Sequence, residues 1–192
     1  MPTDLETDPI TFDIHALDRT PLAREPFDHL IVPKFIDAAS VARLAASWPD
    51  LEKPGPQELP DNLPPALSAL VERLSGRAFR YAVAAKFGID LAYCPTDFEI
   101  CARYDDPGEV RAGAPSHLVT VIVYPNVATG KPDDTKGLLR MLRGQYSMDK
   151  FAAEAPAVGG ALVAFRCMPN SWHGRTDFRG PRNYLQMSWR AN

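Results

Sequence analysis

Residues 158–189 read VGGALVAFRCMPNSWHGRTDFRGPRNYLQMSW, the stretch on which the reading of the fold turns. Its two ends, GGALVAFR (159–166) and RNYLQMSW (182–189), are short and rich in β-branched and aromatic residues, the composition of strands. Pro169, Asn170, Gly174, Gly180 and Pro181 supply turns between them. Working upstream, DFEICARY (97–104), HLVTVIVYPN (117–126) and GLLRML (137–142) have the same character, so everything from Asp90 onward reads as strands joined by turns.

Before Asp90 the period changes to that of helices. Asp37 is placed to cap a helix carrying Val41, Leu44, Ala45 and Trp48 on one face, and Pro49 ends it. A second helix carries Leu67, Leu70, Val71 and Leu74 before Gly76, and a third runs from Arg77 to Phe87 before Gly88. Both glycines are expected to take a left-handed cap. PFDHLIVPKF (26–35) reads as extended, and the proline-dense segment 54–65 as a loop that could cover a pocket. The first 25 residues are polar and read as an arm, although Ile10, Phe12 and Ile14 alternate as a short outer strand would. The expected organisation is an arm over 1–25 and one domain over 26–192. Helices followed by strands indicate an α+β chain whose second half is a sandwich or barrel.

The 192 residues, 45% of them hydrophobic, suffice for one sizeable core. A net charge of -3 argues against general binding to nucleic acid or anionic membranes, which needs an excess of Lys and Arg, and favours a small-molecule or protein partner. No stretch reaches the roughly 20 apolar residues of a membrane span, and Asp4, Glu6 and Asp8 do not suit a signal peptide, so a cytoplasmic location is expected. Cys94, Cys101 and Cys167 form no CxxC pair and read as buried apolar residues rather than disulfides or a zinc site. Walker loops, G-x-G-x-x-G and G-x-S-x-G motifs are absent from the sequence. KPDDTK (131–136) reads as a solvated connection.

Three segments together carry a resemblance: PFDHLIVPKFID (26–37), LVTVIVYPN (118–126) and the stretch quoted first, with SWHG followed by GPR. Over roughly residues 26 to 190 the chain resembles the bacterial prolyl-hydroxylase-type branch of the Fe(II)/2-oxoglutarate oxygenases. The resemblance implies a double-stranded β-helix, or jelly roll, with N-terminal helices on one sheet. It also implies iron held by two His and one carboxylate, and 2-oxoglutarate as co-substrate. His173 matches the second iron histidine, Arg182 the arginine that grips the distal carboxylate of 2-oxoglutarate, and Tyr124 a tyrosine that assists it. Arginine suits that task because its planar fork of donors stays charged at any useful pH.

The resemblance fails at one place. Where relatives carry an H-x-D motif ahead of the strand, this chain reads RAGAPSHLVTVIVYPN (111–126), which puts Arg111 at the first histidine and Gly113 at the carboxylate. Two of three Fe(II) ligands are therefore absent. His117 is the first replacement to consider: on an unbroken strand it would share a face with Gly113, but roughly 13 Å away, too far unless Pro115 bends the segment. Asp105, Asp106 and Glu109 are further conceivable ligands, although YDDPGEV (104–110) reads first as a turn. His15 and His29 read as surface or packing residues. Arg111 offers another idea, a fixed cation opposite His173 that binds an anionic substrate or stabilises developing negative charge. His173 would then serve as general acid or base, exchanging a proton near neutrality.

Three function classes stay open. One is a divergent enzyme on the oxygenase fold without the iron triad, its pocket lined by Arg111, His117, Tyr124 and His173. Another is an active 2-oxoglutarate-dependent hydroxylase with an atypical metal site, and the third is a non-catalytic binding protein. Substrate choice would rest on the segments 54–65 and 127–136.

Overall fold

The computed structural model describes residues 10–51, 55–101, 108–125, 138–156, 158–177 and 183–191. In chain order the elements are α1 (His15–Arg19), β1 (His29–Val32), α2 (Ala38–Ala46), β2 (Pro56–Glu58), α3 (Pro65–Ser75), α4 (Arg77–Phe87), β3 (Thr96–Cys101), β4 (Glu109–Arg111), β5 (His117–Val123), β6 (Leu139–Leu142), β7 (Phe151–Ala155), β8 (Leu162–Arg166), β9 (His173–Arg175) and β10 (Tyr184–Arg190). They form a major sheet of order β1-β8-β5-β10-β3-β2 and a minor sheet of order β4-β9-β6-β7, every pairing antiparallel. From β3 onward the chain winds between them: β3 major, β4 minor, β5 major, β6 and β7 minor, β8 major, β9 minor, β10 major. This winding is the double-stranded β-helix.

The near-continuous apolar runs follow from burial on both faces of the major sheet. Side chains alternate across a strand, so Val119, Val121 and Val123 of β5, Leu162 and Ala164 of β8, and Leu185, Met187 and Trp189 of β10 face outward and pack with the helices. Their neighbours Ile122, Val163, Phe165 and Tyr184 face inward and form a second cluster with Leu139, Met141 and Ala155 of the minor sheet. The helices contribute Leu44, Leu67, Leu70, Leu74, Phe79, Val83 and Phe87 to the outer cluster, where Phe79 stacks on Trp189 at 6.1 Å. The molecule is thus layered helices, major sheet, cavity, minor sheet.

Asp37 caps α2 as expected: its Oδ1 accepts from the Ser40 backbone N–H at 3.0 Å and its Oδ2 from the Ser40 hydroxyl at 2.6 Å. Gly88 takes the left-handed cap after α4, with φ 63°. Gly76 does not: it is extended, with φ -64° and ψ 152°, because α4 starts immediately and Gly76 serves as its N-cap. The loop expected over 54–65 contains an edge strand, β2, whose first residue is Pro56; proline is tolerated there because an edge strand leaves one side unpaired. The described part of the first 25 residues is not a loose arm. Ile10, Phe12, Ala16 and Leu17 lie in the outer cluster, Phe12 bridges Ile36, and the alternating residues lead into α1 instead of an outer strand. Cys94 and Cys101 are buried, whereas Cys167 is half-buried and faces the cavity, and none is in a disulfide. Among the described residues no helix is long and apolar enough to cross a membrane.

Candidate functional site

Between the sheets lies a cavity of about 260 Å³. The minor sheet contributes Glu109 and Arg111 of β4, His173 and Arg175 of β9, and Leu139 of β6. Register explains the grouping: Arg175 is the Cα partner of both Glu109 and Leu139, and His173 is the partner of Arg111. Residues directly opposite one another share a face, so one inward row carries Glu109, Arg175 and Leu139 and the next carries Arg111 and His173. The major sheet contributes Glu99, Thr120, Ile122, Phe165, Tyr184 and Gln186. Polar side chains are tolerated on this buried face because they bond one another: Gln186 Nε2 donates to Glu99 Oε2 at 2.7 Å, and the Thr120 and Ser188 hydroxyls are 2.9 Å apart.

His173 is held in a defined state. Its Nδ1 lies 3.0 Å from the Ser171 carbonyl oxygen, which can only accept, so Nδ1 carries the proton and Nε2 the lone pair. Its ring packs against Phe165 at 4.6 Å. Burial pulls its pKa down to about 4; the Ser171 carbonyl opposes that shift, and the positive charges of Arg175 and Arg111 add to it. The residue is therefore a neutral imidazole at pH 7, not the acid–base group titrating near neutrality that its ordinary pKa suggests.

Arg111 occupies the position opposite His173, but its charge is engaged. Its Nε and Nη2 donate to Glu109 Oε2 at 2.9 and 2.6 Å, and its side chain is 55% exposed. Arg175 lines the cavity as well, stacking at 4.4 Å over the Tyr184 ring with its Nε and Nη2 withdrawn from solvent. Sequence reasoning missed Arg175. The signal was its parity with His173, two residues away on one strand, but a three-residue strand is too short to show a period. Tyr184 was missed too: burial pushes its phenol well above the usual value, with the positive charge of Arg175 opposing, and it is hydrogen-bonded to Cys101.

His117 and Gly113 do not share a strand. The chain crosses from the minor to the major sheet between β4 and β5, with a turn at Pro115–Ser116 and the His117 N–H donating to the Ala114 carbonyl at 3.0 Å. The bend at Pro115 brings His117 to the cavity wall, where Nε2 lies 3.7 Å from Asp97 Oδ2. Tyr124 follows β5 and is 1% exposed; its hydroxyl has no hydrogen-bond partner among the described residues. Arg182, Asp105 and Asp106 lie outside the described residues, as does the segment 127–136. His29 is a packing residue, buried with Nδ1 2.8 Å from the Phe27 carbonyl oxygen, and His15 is exposed beside Asp18.

Among the described residues His173 is not joined by the two further ligands of an iron triad. Among the described residues no group of three or more His, Cys, Asp or Glu could hold a metal ion. Gly113 has no room for a ligand: a Cβ built there would lie 2.2 Å from Ser171 Oγ and 3.0 Å from Cys167 Cα. The two guanidinium charges that depress the His173 pKa also oppose a divalent cation at the same place. For a carboxylate the cavity wall supplies the Arg175 cation, whereas Tyr124, expected in the lining, is buried between the sheets and is not among the residues that line the cavity.

This architecture is the double-stranded β-helix of prolyl-hydroxylase-like Fe(II)/2-oxoglutarate oxygenases, and at the level of the fold the chain resembles that branch. Among solved structures it is similar to a Pseudomonas putida prolyl-4-hydroxylase, with 15% identity, a TM-score of 0.61, and coverage of 93% of this chain and 97% of that one. A prolyl 4-hydroxylase from Phytophthora capsici matches at 14% identity and TM-score 0.64, covering 98% of this chain and 69% of the other. HygX from Streptomyces hygroscopicus, solved with nickel and 2-oxoglutarate bound, matches at 13% identity and TM-score 0.54, covering 93% and 85%. No protein-family model and no curated protein sequence matches the chain.

Proposed function

We propose that this protein is a divergent enzyme that uses the oxygenase-type cavity for conversion of a small anionic molecule without the iron triad. The observation that carries the reading is the setting of His173. A neutral imidazole stands beside two guanidinium groups, where the fold's metal chemistry would need two further ligands. A cation fixed in the cavity wall, as Arg175 is, stabilises negative charge that develops on a substrate during rearrangement, elimination, cyclisation or hydrolysis. His173 Nε2 accepts a hydrogen bond from the substrate and orients it, and Arg111 and His117 stand at the cavity wall. For 2-oxoglutarate, the residues that would hold a carboxylate are Tyr124 and Arg182, the pair the family resemblance singles out. No nucleic acid or membrane surface enters this reading.

Anaerobic reconstitution with Fe(II), followed by an assay for succinate released from 2-oxoglutarate, separates the readings. We expect no stoichiometric iron and no succinate, together with a substrate conversion that His173→Ala abolishes. Stoichiometric iron with succinate release would establish a 2-oxoglutarate-dependent hydroxylase with an atypical metal site instead. If alanine at His173, Arg111 and Arg182 leaves biological activity intact, the protein is a non-catalytic binding protein.

A further inference from the structure

We infer that the cavity takes a small zwitterion, its acidic group on Arg175 and its ammonium on Glu99. This rests on the anion-pocket reading above and adds the ligand's second charge.

The two walls of the cavity carry opposite charge. On the minor sheet Arg175 projects inward beside His173, with its guanidinium 4.4 Å over the Tyr184 ring. A planar cation stacked on an aromatic face is held in place, and less entropy is lost when it grips a carboxylate.

On the major sheet Glu99 stands directly opposite Glu58 on one side and Gln186 on the other. Like charges directly opposite on neighbouring strands repel. The Gln186 amide fixes Glu99 at 2.7 Å but, being neutral, does not cancel its charge. The nearby basic groups are engaged one pair further along the strand, where Arg190 Nε lies 2.9 Å and His117 Nε2 3.7 Å from Asp97 Oδ2. Glu99 has no ion pair among the described residues, and an ammonium arriving at its carboxylate relieves the repulsion from Glu58.

Size limits the ligand. The volume of about 260 Å³ falls below the roughly 300–1,000 Å³ usual for drug-sized ligands. Facing sheets lie about 10 Å apart, and inward side chains take up much of that gap, so a molecule of a few carbon atoms bridges the two charges.

The test is calorimetric titration of the metal-free full chain with a fixed set of probes. These are the L-α-amino acids and 4-aminobutyrate, 5-aminovalerate and 6-aminohexanoate, each beside the matching acid without its amine and the matching amine without its acid. At least one zwitterion should bind, with its acid-only and amine-only partners about tenfold weaker or more. Glu99→Gln, which retains an acceptor for Gln186, should weaken the zwitterion to the level of the acid alone, and Arg175→Gln should weaken zwitterion and acid together. Because Arg175 is withdrawn from solvent, Arg175→Lys provides a folded comparison, and circular dichroism checks each variant. Acid-only probes binding as tightly as zwitterions, or no zwitterion binding at all, overturns the zwitterion. Metal-free binding of 2-oxoglutarate that depends on Arg175 and not on Glu99 overturns it too, while sparing the anion-pocket reading. If 2-oxoglutarate binds only together with Mn(II), the anion-pocket reading itself fails.

Discussion

At Gly113 the space that a larger side chain would need is already filled. A Cβ there meets Ser171 Oγ at 2.2 Å and the backbone at Cys167 and Met168 at 3.0 Å, and Ser171 is itself held by bonds to the Met168 N–H and carbonyl. Gly113→Asp should therefore cost about 1–3 kcal/mol, as overpacking does. For a chain of this size that lowers the melting temperature by several degrees. Adding Arg111→His should still give no Mn(II) signal by electron paramagnetic resonance. An unchanged melting temperature with a gained metal signal would mean that the site lacks only its ligands. His173 makes a separate prediction. Its folded pKa is about 4, below the ordinary 6.5, so between those values the unfolded chain binds the extra proton. The stability it contributes is complete above pH 6.5 and falls as pH drops toward 4, by roughly 3 kcal/mol in all. His173→Gln should flatten that window in urea titrations taken at several pH values, and an equally steep dependence in the variant would assign the effect to other groups.

Elements differ in how openly the sequence declares them. β5, β8 and β10 were legible because burial on both faces demands unbroken apolar and β-branched runs, and α2 because Asp37 and Pro49 bracket it. β2, β4 and β9, at three residues each, offer no period, and their existence depends on the partner strand beside them. The two elements that build the cavity's charged wall, β4 and β9, belong to this second group, so the site was half legible: His173 from its motif, Arg175 not at all. The α2 cap is testable at this scale. The Ser40 hydroxyl and N–H hold the Asp37 carboxyl below its usual pKa. Asp37→Ala should cost about 1 kcal/mol, read as a fall of a few degrees in melting temperature. Asp37→Asn, which keeps an acceptor, should recover most of it.

For the whole molecule, the major sheet separates two clusters that do different work. The outer one, joining the helices to β5, β8 and β10, carries most of the large buried side chains, while the inner one shares its space with the cavity. Phe79→Ala removes a ring that packs on Trp189, Phe12 and Phe35, and should cost about 3–5 kcal/mol. Ligand affinity of the folded protein should nonetheless stay within about twofold, since distant, independent sites act additively. A large loss of affinity in folded Phe79→Ala, measured by calorimetry at low temperature, would show that the helical layer shapes the cavity.

The sequence by itself determined the order of helices then strands, the two-faced burial of the long strands, and the absence of a histidine at 111 and a carboxylate at 113, because these depend on residue type and local period. Tertiary structure alone decided that the chain changes sheets between Arg111 and His117, that Gly113 faces packed backbone, and that Arg175 stands beside His173 across from Glu99. Those facts arise from pairing between strands distant in the chain. Register sets which charges share a face, and no local preference encodes register.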